Sequence, residues 1–360
     1  MSFDAGSLFD SDGSGSELEE DFFGSGWPPP TRRRLRPKRI RDYVLGPTLG
    51  KGAYATVKEG LDSRNLRLVA VKTIDRRALS RIPGGLANVR REIAIMKMLP
   101  GHPNVIEFYE TIDDRSLRKL YIILELASGQ SLQDLIDKAP NNRIPPSQVK
   151  GYMQQLMQGL AFIHGKNVVH RDIKPSNLLF NSKEVLKITD FGVAEILSRY
   201  NKFDEAHHSF GSPAFQPPEI ANSDAAYSGM KVDVWAAGVT MYYCLVGRIP
   251  FYADNRLELQ RLVAAGDFEV PDFIGKEAED LLRGMLRTDW SQRLSVREVL
   301  HHPWLQNIPT SPRSDWVKVE ALEPKVLNVV KQILADEEPR TSGSVEEHVV
   351  LPDRTQCSVQ

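Results

Sequence analysis

The sequence predicts an α+β fold of two lobes, a small antiparallel sheet with one main helix followed by a larger, mainly helical lobe. Three observations carry this prediction. Short β-type segments cluster before residue 125: Leu45 to Lys58 reads as two strands around a glycine-rich turn, and Val69 to Lys72, Val105 to Tyr109 and Leu120 to Leu124 complete a sheet. Apolar stripes of helical period dominate after residue 130. Between the helices lies a polar loop, His170 to Asn177, flanked by the short β-type runs Leu178-Leu179-Phe180 and Val185 to Ile188.

In chain order, residues 1–27 are rich in Ser, Gly, Asp and Glu and hold too few apolar side chains to offset the entropy of ordering them. The stretch 1–42 is therefore read as a disordered tail, acidic and then basic. Its basic part, Thr31 to Arg41, carries seven Lys or Arg side chains and reads either as a nuclear-import signal or as a solvated linker. The folded unit spans 43–305, with a first lobe 43–125, a connection 125–128 and a second lobe 129–305. Leu86 to Leu99 is the main helix of the first lobe, with Val89, Ile93 and Met96 inward. Ser131 to Ile136, Val149 to His164, the apolar run Val234 to Val246, Leu257 to Val263, Glu277 to Leu286 and Val296 to Leu300 follow as helices. Adjacent His301 and His302 ahead of Pro303-Trp304 read as a lobe closure rather than a metal site.

Composition agrees. The chain has 360 residues, 41% of them apolar, enough to bury a large core and leave length for tails. A net charge of −1 offers no global field for nucleic acid or membrane, and Cys244 and Cys357 alone cannot make a disulfide framework. No apolar signal core opens the chain, and the run Val234 to Val246 is too short to span a bilayer, so a reducing, intracellular setting is expected.

The chemistry concentrates in His170-Arg171-Asp172-Ile173-Lys174-Pro175-Ser176-Asn177 and Asp190-Phe191-Gly192. Moving a phosphoryl group requires a carboxylate for the acceptor hydroxyl's proton, oxygen ligands for a divalent metal and positive charge against the phosphates. Asp172 fits the first role, Asn177 and Asp190 the second, and Lys174 faces the moving group. Upstream, Gly50-x-Gly52-x-x-Ala55 offers a turn whose backbone N–H groups can approach phosphate oxygens, although Ala55 stands where a third glycine is usual. Lys72 ends an apolar strand at a fitting distance, and Glu92 reads either as its partner or as a surface carboxylate beside Arg90 and Arg91.

The whole of 43–305 resembles a eukaryotic serine/threonine protein kinase. More closely, Arg81 to Ile93, Gly192-Val193-Ala194-Glu195 and Gly211 to Asn222, with its unusual Gln216-Pro217-Pro218, are similar to the liver kinase B family. The resemblance implies the two-lobed protein kinase fold and the use of ATP with Mg²⁺ or Mn²⁺. It implies an ATP site of Leu49, Gly50, Lys51, Gly52, Ala53, Tyr54, Ala55, Val57, Ala70, Lys72, Leu124, Glu125, Ala127 and Leu179, with residues 125–127 as the hinge that bonds the base. Asp172, Lys174, Lys72 and Glu92 are the implied catalytic set, and Asn177 and Asp190 the metal ligands. An activation segment would run from Asp190, Phe191 and Gly192 through Ser209 and Ser212 to Glu219. Structural roles fall to Arg171, which could grip an activation-loop phosphate, to Asp233, bonding catalytic-loop N–H groups, and to Arg293, pairing with Glu219.

As substrates the resemblance implies activation-loop threonines of AMP-activated-type kinases, and as partners a pseudokinase adaptor, STRAD, and a helical-repeat scaffold. Between Phe191 and Gly211 hydroxyl acceptors are sparse, namely Ser198, Tyr200 and Ser209, with Asp204 and Glu205 as stand-in charges. Arg171 and Phe191 depart from the family, which has Lys and Leu there. Two other readings are an active kinase of the calmodulin-dependent kinase kinase neighbourhood and a pseudokinase scaffold. The first needs a basic helix after the lobe, and the stripe at 324–334 has only Lys325 and Lys331; the second needs a lesion at Lys72, Asp172 or Asp190, and there is none. The tail 306–360 carries that amphipathic stripe, a packing or partner surface, and ends Cys357-Ser358-Val359-Gln360, a C-a-a-X pattern for weak membrane attachment through a prenylated Cys357. Cytoplasm and nucleus are the expected locations.

Overall fold

The structure, a computed structural model, describes residues 38–52, 55–197, 211–220 and 227–306. Most of the N-terminal tail, Ala53, Tyr54, the acceptors Ser198, Tyr200 and Ser209 with Asp204 and Glu205, the 324–334 stripe and Cys357 lie outside the described residues.

The first lobe is an antiparallel sheet of β1 (Arg39–Ile40), β2 (Tyr43–Lys51), β3 (Ala55–Asp62) and β4 (Arg67–Asp75), joined after a short helix α1 (Arg76–Leu79) and the main helix α2 (Gly85–Lys97) by β5 (Phe108–Asp114) and β6 (Lys119–Glu125). Strand order is β1-β2-β3-β4-β6-β5. Two boundaries differ from the sequence reading. The sheet begins at β1, before Tyr43, because Ile40 pairs with Tyr43 and is buried in the same apolar cluster. The run Val105 to Tyr109 is not one strand: Val105 bridges Ile188 in parallel, the Ile106 N–H donates to the Ile188 carbonyl at 3.0 Å, and the strand starts only at Phe108. Those apolar residues serve the junction with the second lobe instead.

Alternation along β4 does the positioning. Val69 and Val71 point into a small cluster with Ile40, Tyr43, Ile112, Tyr121 and Ile123, while Ile74 on the other face joins Leu79, Val89 and Ile95 of the main core. Lys72, two residues from Ile74, shares that second face, which is the one α2 covers. On α2 the buried positions are Gly85, Val89, Glu92, Ile95 and Met96, so a carboxylate sits within an otherwise apolar stripe.

The second lobe comprises α3 (Leu132–Lys138), α4 (Pro146–Gly165), β7 (Val168–Val169), a hairpin of β8 (Leu178–Phe180) and β9 (Leu186–Ile188), β10 (Glu195–Ile196), α5 (Gly229–Val246), α6 (Arg256–Ala265), α7 (Lys276–Met285) and α8 (Val296–Leu300). The starts of α3 and α8 follow from capping boxes, Ser131 with Asp134 and Ser295 with Glu298, which satisfy orphan N–H groups of the first turn. Helix α5 is apolar on nearly all sides and buried, as a core helix requires. Its one buried carboxylate, Asp233, is fully enclosed and accepts from His164 Nε2 at 2.8 Å and from the N–H groups of His170 at 2.9 Å and Arg171 at 2.7 Å. Burial opposes its charge, but the hydrogen bond from His164, the electrostatic influence of the two neighbouring imidazoles and the backbone N–H of His170 outweigh it and hold the pKa below the ordinary carboxylate value.

Glu219 and Arg293 meet in a forked pair, Nη1 to Oε1 at 2.6 Å and Nη2 to Oε2 at 2.9 Å, with the arginine side chain fully buried. Arg293 also donates to the carbonyls of Arg287 and Lys231 and lies over the Trp235 ring. His301 Nδ1 bonds the Arg297 carbonyl and His302 Nε2 bonds Asp280.

Removing one partner leaves a buried charge uncompensated, so Glu219→Gln or Arg293→Met should each cost about 3 to 5 kcal/mol in urea unfolding. The double substitution should cost less than either single one. Asp233 gives a pH test. Its folded pKa is lowered, so its stabilisation is complete above about pH 4, where the unfolded carboxyl is also ionised, and is lost as pH falls through the folded value. Asp233→Asn should therefore lower the urea midpoint at pH 7 and flatten its decline in acid.

Candidate active site

The catalytic-loop residues are held from beneath. Buried Val168 and Val169 of β7 lead into His170, and Asp233 on α5 takes the next two backbone N–H groups. That carboxylate holds Arg171 at φ 65°, a left-handed conformation costly for a side chain of its size. His170 bonds on both ring nitrogens: Nε2 donates to the Thr189 carbonyl at 2.9 Å, and Nδ1 accepts from the Asp172 N–H at 3.3 Å. These roles select the neutral Nε2–H tautomer.

Asp172 is nine-tenths buried, and both oxygens are engaged. Oδ1 accepts from the Ser212 N–H at 2.9 Å and the Ser212 hydroxyl at 3.0 Å. Oδ2 accepts from Asn177 Nδ2 at 2.9 Å and faces Lys174 Nζ at 2.8 Å. Lys174 also donates to the Ser212 hydroxyl at 2.8 Å, closing a ring of three side chains. Ser212 reaches this place because Gly211 adopts φ +100° so close to the loop that a Cβ there would lie 2.5 Å from the Arg171 carbonyl.

Across the cleft, Lys72 Nζ lies 2.5 Å from Glu92 Oε1 and 3.8 Å from Asp190 Oδ1. The sequence left Glu92 open between partner and surface carboxylate; it is buried and paired. Asp190 is half exposed and left-handed at φ 63°, while Phe191 turns inward, buried, with its ring 5.1 Å from that of His170 in an edge-on contact. Thr189 ties the two halves together, its N–H and hydroxyl both donating to the Asn177 carbonyl, at 3.0 and 2.9 Å. Lys72 with Asp190, and Asp172 with Lys174 and Asn177, thus form two contact groups joined through Thr189.

Of the remaining predicted nucleotide residues, Ala53 and Tyr54 fall outside the described residues. Ala70 pairs with Leu124 and Val57 with Lys72 across the sheet. Leu179 is partly open between buried Leu178 and Phe180, as alternation on β8 requires. Exposed Leu49, Lys51 and partly buried Ala55 flank the glycine turn. Among the described residues nothing lies within 4 Å of a Cβ built on Gly50, and only the Ala55 carbonyl within 4 Å of one on Gly52. Glu125 ends β6, and its carboxylate is held by Lys187 at 2.8 Å, so only backbone groups of 125–127 remain to bond a base. Among the described residues no three His, Cys, Asp or Glu converge. An amide and one carboxylate suit a hard cation that arrives with phosphate oxygens and completes its shell there.

Arg171 is held within the fold. Its guanidinium is almost wholly buried, donates from Nε to the Val193 carbonyl at 2.8 Å and pairs with Glu195. Burial pushes its pKa down and Glu195 pushes back. Sequence reasoning gave no role to Glu195, His164, Thr189 or Lys187. Only His164, closing a helix shortly before the loop, could have been suspected from position.

A protein kinase domain model matches residues 43–305. The chain is 42% identical to the serine/threonine-protein kinase STK11 of Gallus gallus over 78% of this chain and 66% of that protein. It is 42% identical to STK11 of Homo sapiens over 76% and 63%, and 40% identical to the stk11 homolog of Dictyostelium discoideum over 76% and 46%. The chain thus spans less than two thirds of the length of these curated relatives. With 43–305 matched throughout and the cleft built as described, the chain belongs to the protein kinase family, its similarity running to the STK11 serine/threonine kinases.

Proposed function

We propose that the chain transfers the terminal phosphoryl group of ATP, with Mg²⁺ or Mn²⁺, to serine and threonine hydroxyls, and that its acceptors are activation-loop threonines of AMP-activated-type kinases. A STRAD-like pseudokinase and a helical-repeat scaffold are its proposed companions. The observation that carries the transfer reading is the Asp172 carboxylate, fixed by Ser212, Asn177 and Lys174 opposite the Lys72–Glu92 pair. Similarity to STK11 supports the choice of acceptor and companions.

In this reading Asp172 orients the acceptor hydroxyl and takes its proton, with Oδ1 and Oδ2 held so that little reorganisation precedes transfer. Lys174, anchored between Asp172 and Ser212, presents its charge to the group in flight. Lys72, kept in place by Glu92, pairs with the phosphates nearer the base. Asn177 and Asp190 would hold the divalent metal, whose charge when bound neutralises the phosphate oxygens. The inward ring of Phe191 and the left-handed Asp190 keep that carboxylate on the cleft side.

The test is phosphorylation of an AMP-activated-type kinase domain in vitro, with and without adaptor and scaffold. Transfer should appear with wild-type chain and fall at least about a thousandfold in Asp190→Ala and Asp172→Asn. Wild-type signal no greater than these controls, with companions present, would defeat the proposal. Gly211→Ala should reduce kcat by about tenfold or more while leaving ATP affinity nearly unchanged, because it displaces Ser212 and not the nucleotide cradle; stopped-turnover and nucleotide-binding titrations separate the two.

A further inference from the structure

The second lobe holds a cavity of about 440 Å³ that takes no part in the site described above. Its base is buried and apolar: Ile144 from the segment between α3 and α4, Leu245 near the end of α5 and Ile274 before α7. Leu135 of α3, Ala139 at its end and Tyr152 of α4 line the sides. Backbone restraints keep this space open. The Ile144 N–H donates to the Cys244 carbonyl at 2.8 Å, and Arg143 Nε donates to the Val246 carbonyl at 3.2 Å. Gly247 comes so near that a Cβ there would lie 2.5 Å from the Asn141 carbonyl, and Pro140, Pro145 and Pro146 each fix φ in the same segment. Walls pinned in this way do not collapse onto the space, and apolar walls hold water poorly.

The rim is charged. Lys138 and Arg143 are exposed there, with the Arg143 guanidinium 4.3 Å from the ring centre of half-exposed Phe273. The acids beside them on α3, Asp134 and Asp137, are bonded to Ser131 and Gln133, and Asp272 is exposed next to Phe273. Two cations at the mouth of an apolar space select its ligand. A strand or loop placed inside would bury backbone N–H and C=O groups without partners. A helix is about 10–12 Å across, so the cavity holds little more than one turn, whereas the apolar stripe at 324–334 runs for about three. A hydrocarbon chain carrying one carboxylate meets neither obstacle.

We propose that this cavity binds a single-chain fatty acid, its hydrocarbon lodged among α3, α4 and the end of α5 and its carboxylate at Lys138 and Arg143. The inference goes beyond the transfer reading and stands independently of it.

The test is titration calorimetry of the full chain with decanoate, dodecanoate and tetradecanoate, each below its micelle concentration. One saturable site is expected, its affinity rising about two- to fourfold per added methylene. Dodecanol, which lacks the charge, should bind about fivefold or more weakly than dodecanoate. Lys138→Glu with Arg143→Glu should weaken dodecanoate binding by about tenfold or more, and Ala139→Phe, which fills the cavity, should abolish it. No saturable heat at any chain length, dodecanol within twofold of dodecanoate, or an unchanged affinity in either variant would each overturn the proposal. Complete displacement of dodecanoate by a peptide of residues 320–338 would also overturn it, assigning the cavity to the chain's own tail. If Ala139→Phe fails to fold by circular dichroism, the exposed charge pair decides alone.

Discussion

The catalytic loop exists in its observed form because one carboxylate is buried beneath it. Asp233 sits on the most enclosed helix of the molecule, and an ionised group there is tolerable only if its oxygens are bonded. The nearest donors are His164 and the N–H groups of His170 and Arg171, so satisfying the helix bends the loop. The left-handed Arg171, the upright His170 and the presentation of Asp172 all follow from that requirement. An apolar residue at 233 would leave two buried N–H groups without an acceptor.

Electrostatics of the remaining site is a chain of such obligations. Lys72 and Glu92 justify each other's burial, Asn177 and Lys174 occupy one oxygen of Asp172, and Ser212 occupies the other. Each group is held by a neighbour already fixed by packing, which is how a site keeps its geometry without a ligand to organise it.

Much of this was legible in the sequence, and unevenly. Lys72, Asp172, Asn177 and Asp190 stand in spacings that carry chemistry, and the structure brings them together. The pairing of Glu219 with Arg293 and the bonding role of Asp233 came only from resemblance, since nothing local distinguishes a distant buried partner from a solvated charge. Glu195 was illegible for the same reason: on a two-residue strand, a glutamate looks like any surface acid until β7 is seen beside it. Val105 and Ile106 misled because an apolar pair reads as strand wherever it packs, and only the fold reveals that it binds β9. The beginning at Arg39 was hidden inside a basic run in which Ile40, one of two aliphatic side chains with Leu35, is the part that matters.

The junction of the lobes has a mechanical consequence. Val105 and Ile106 are laced to Ile188, the Gly129 N–H donates to the Phe180 carbonyl at 2.8 Å, and Glu125 grips Lys187 across the rear of the cleft. These contacts tie the segment before β5 and the end of β6 to the β8–β9 hairpin along one margin, as the spine of a bound book holds its pages.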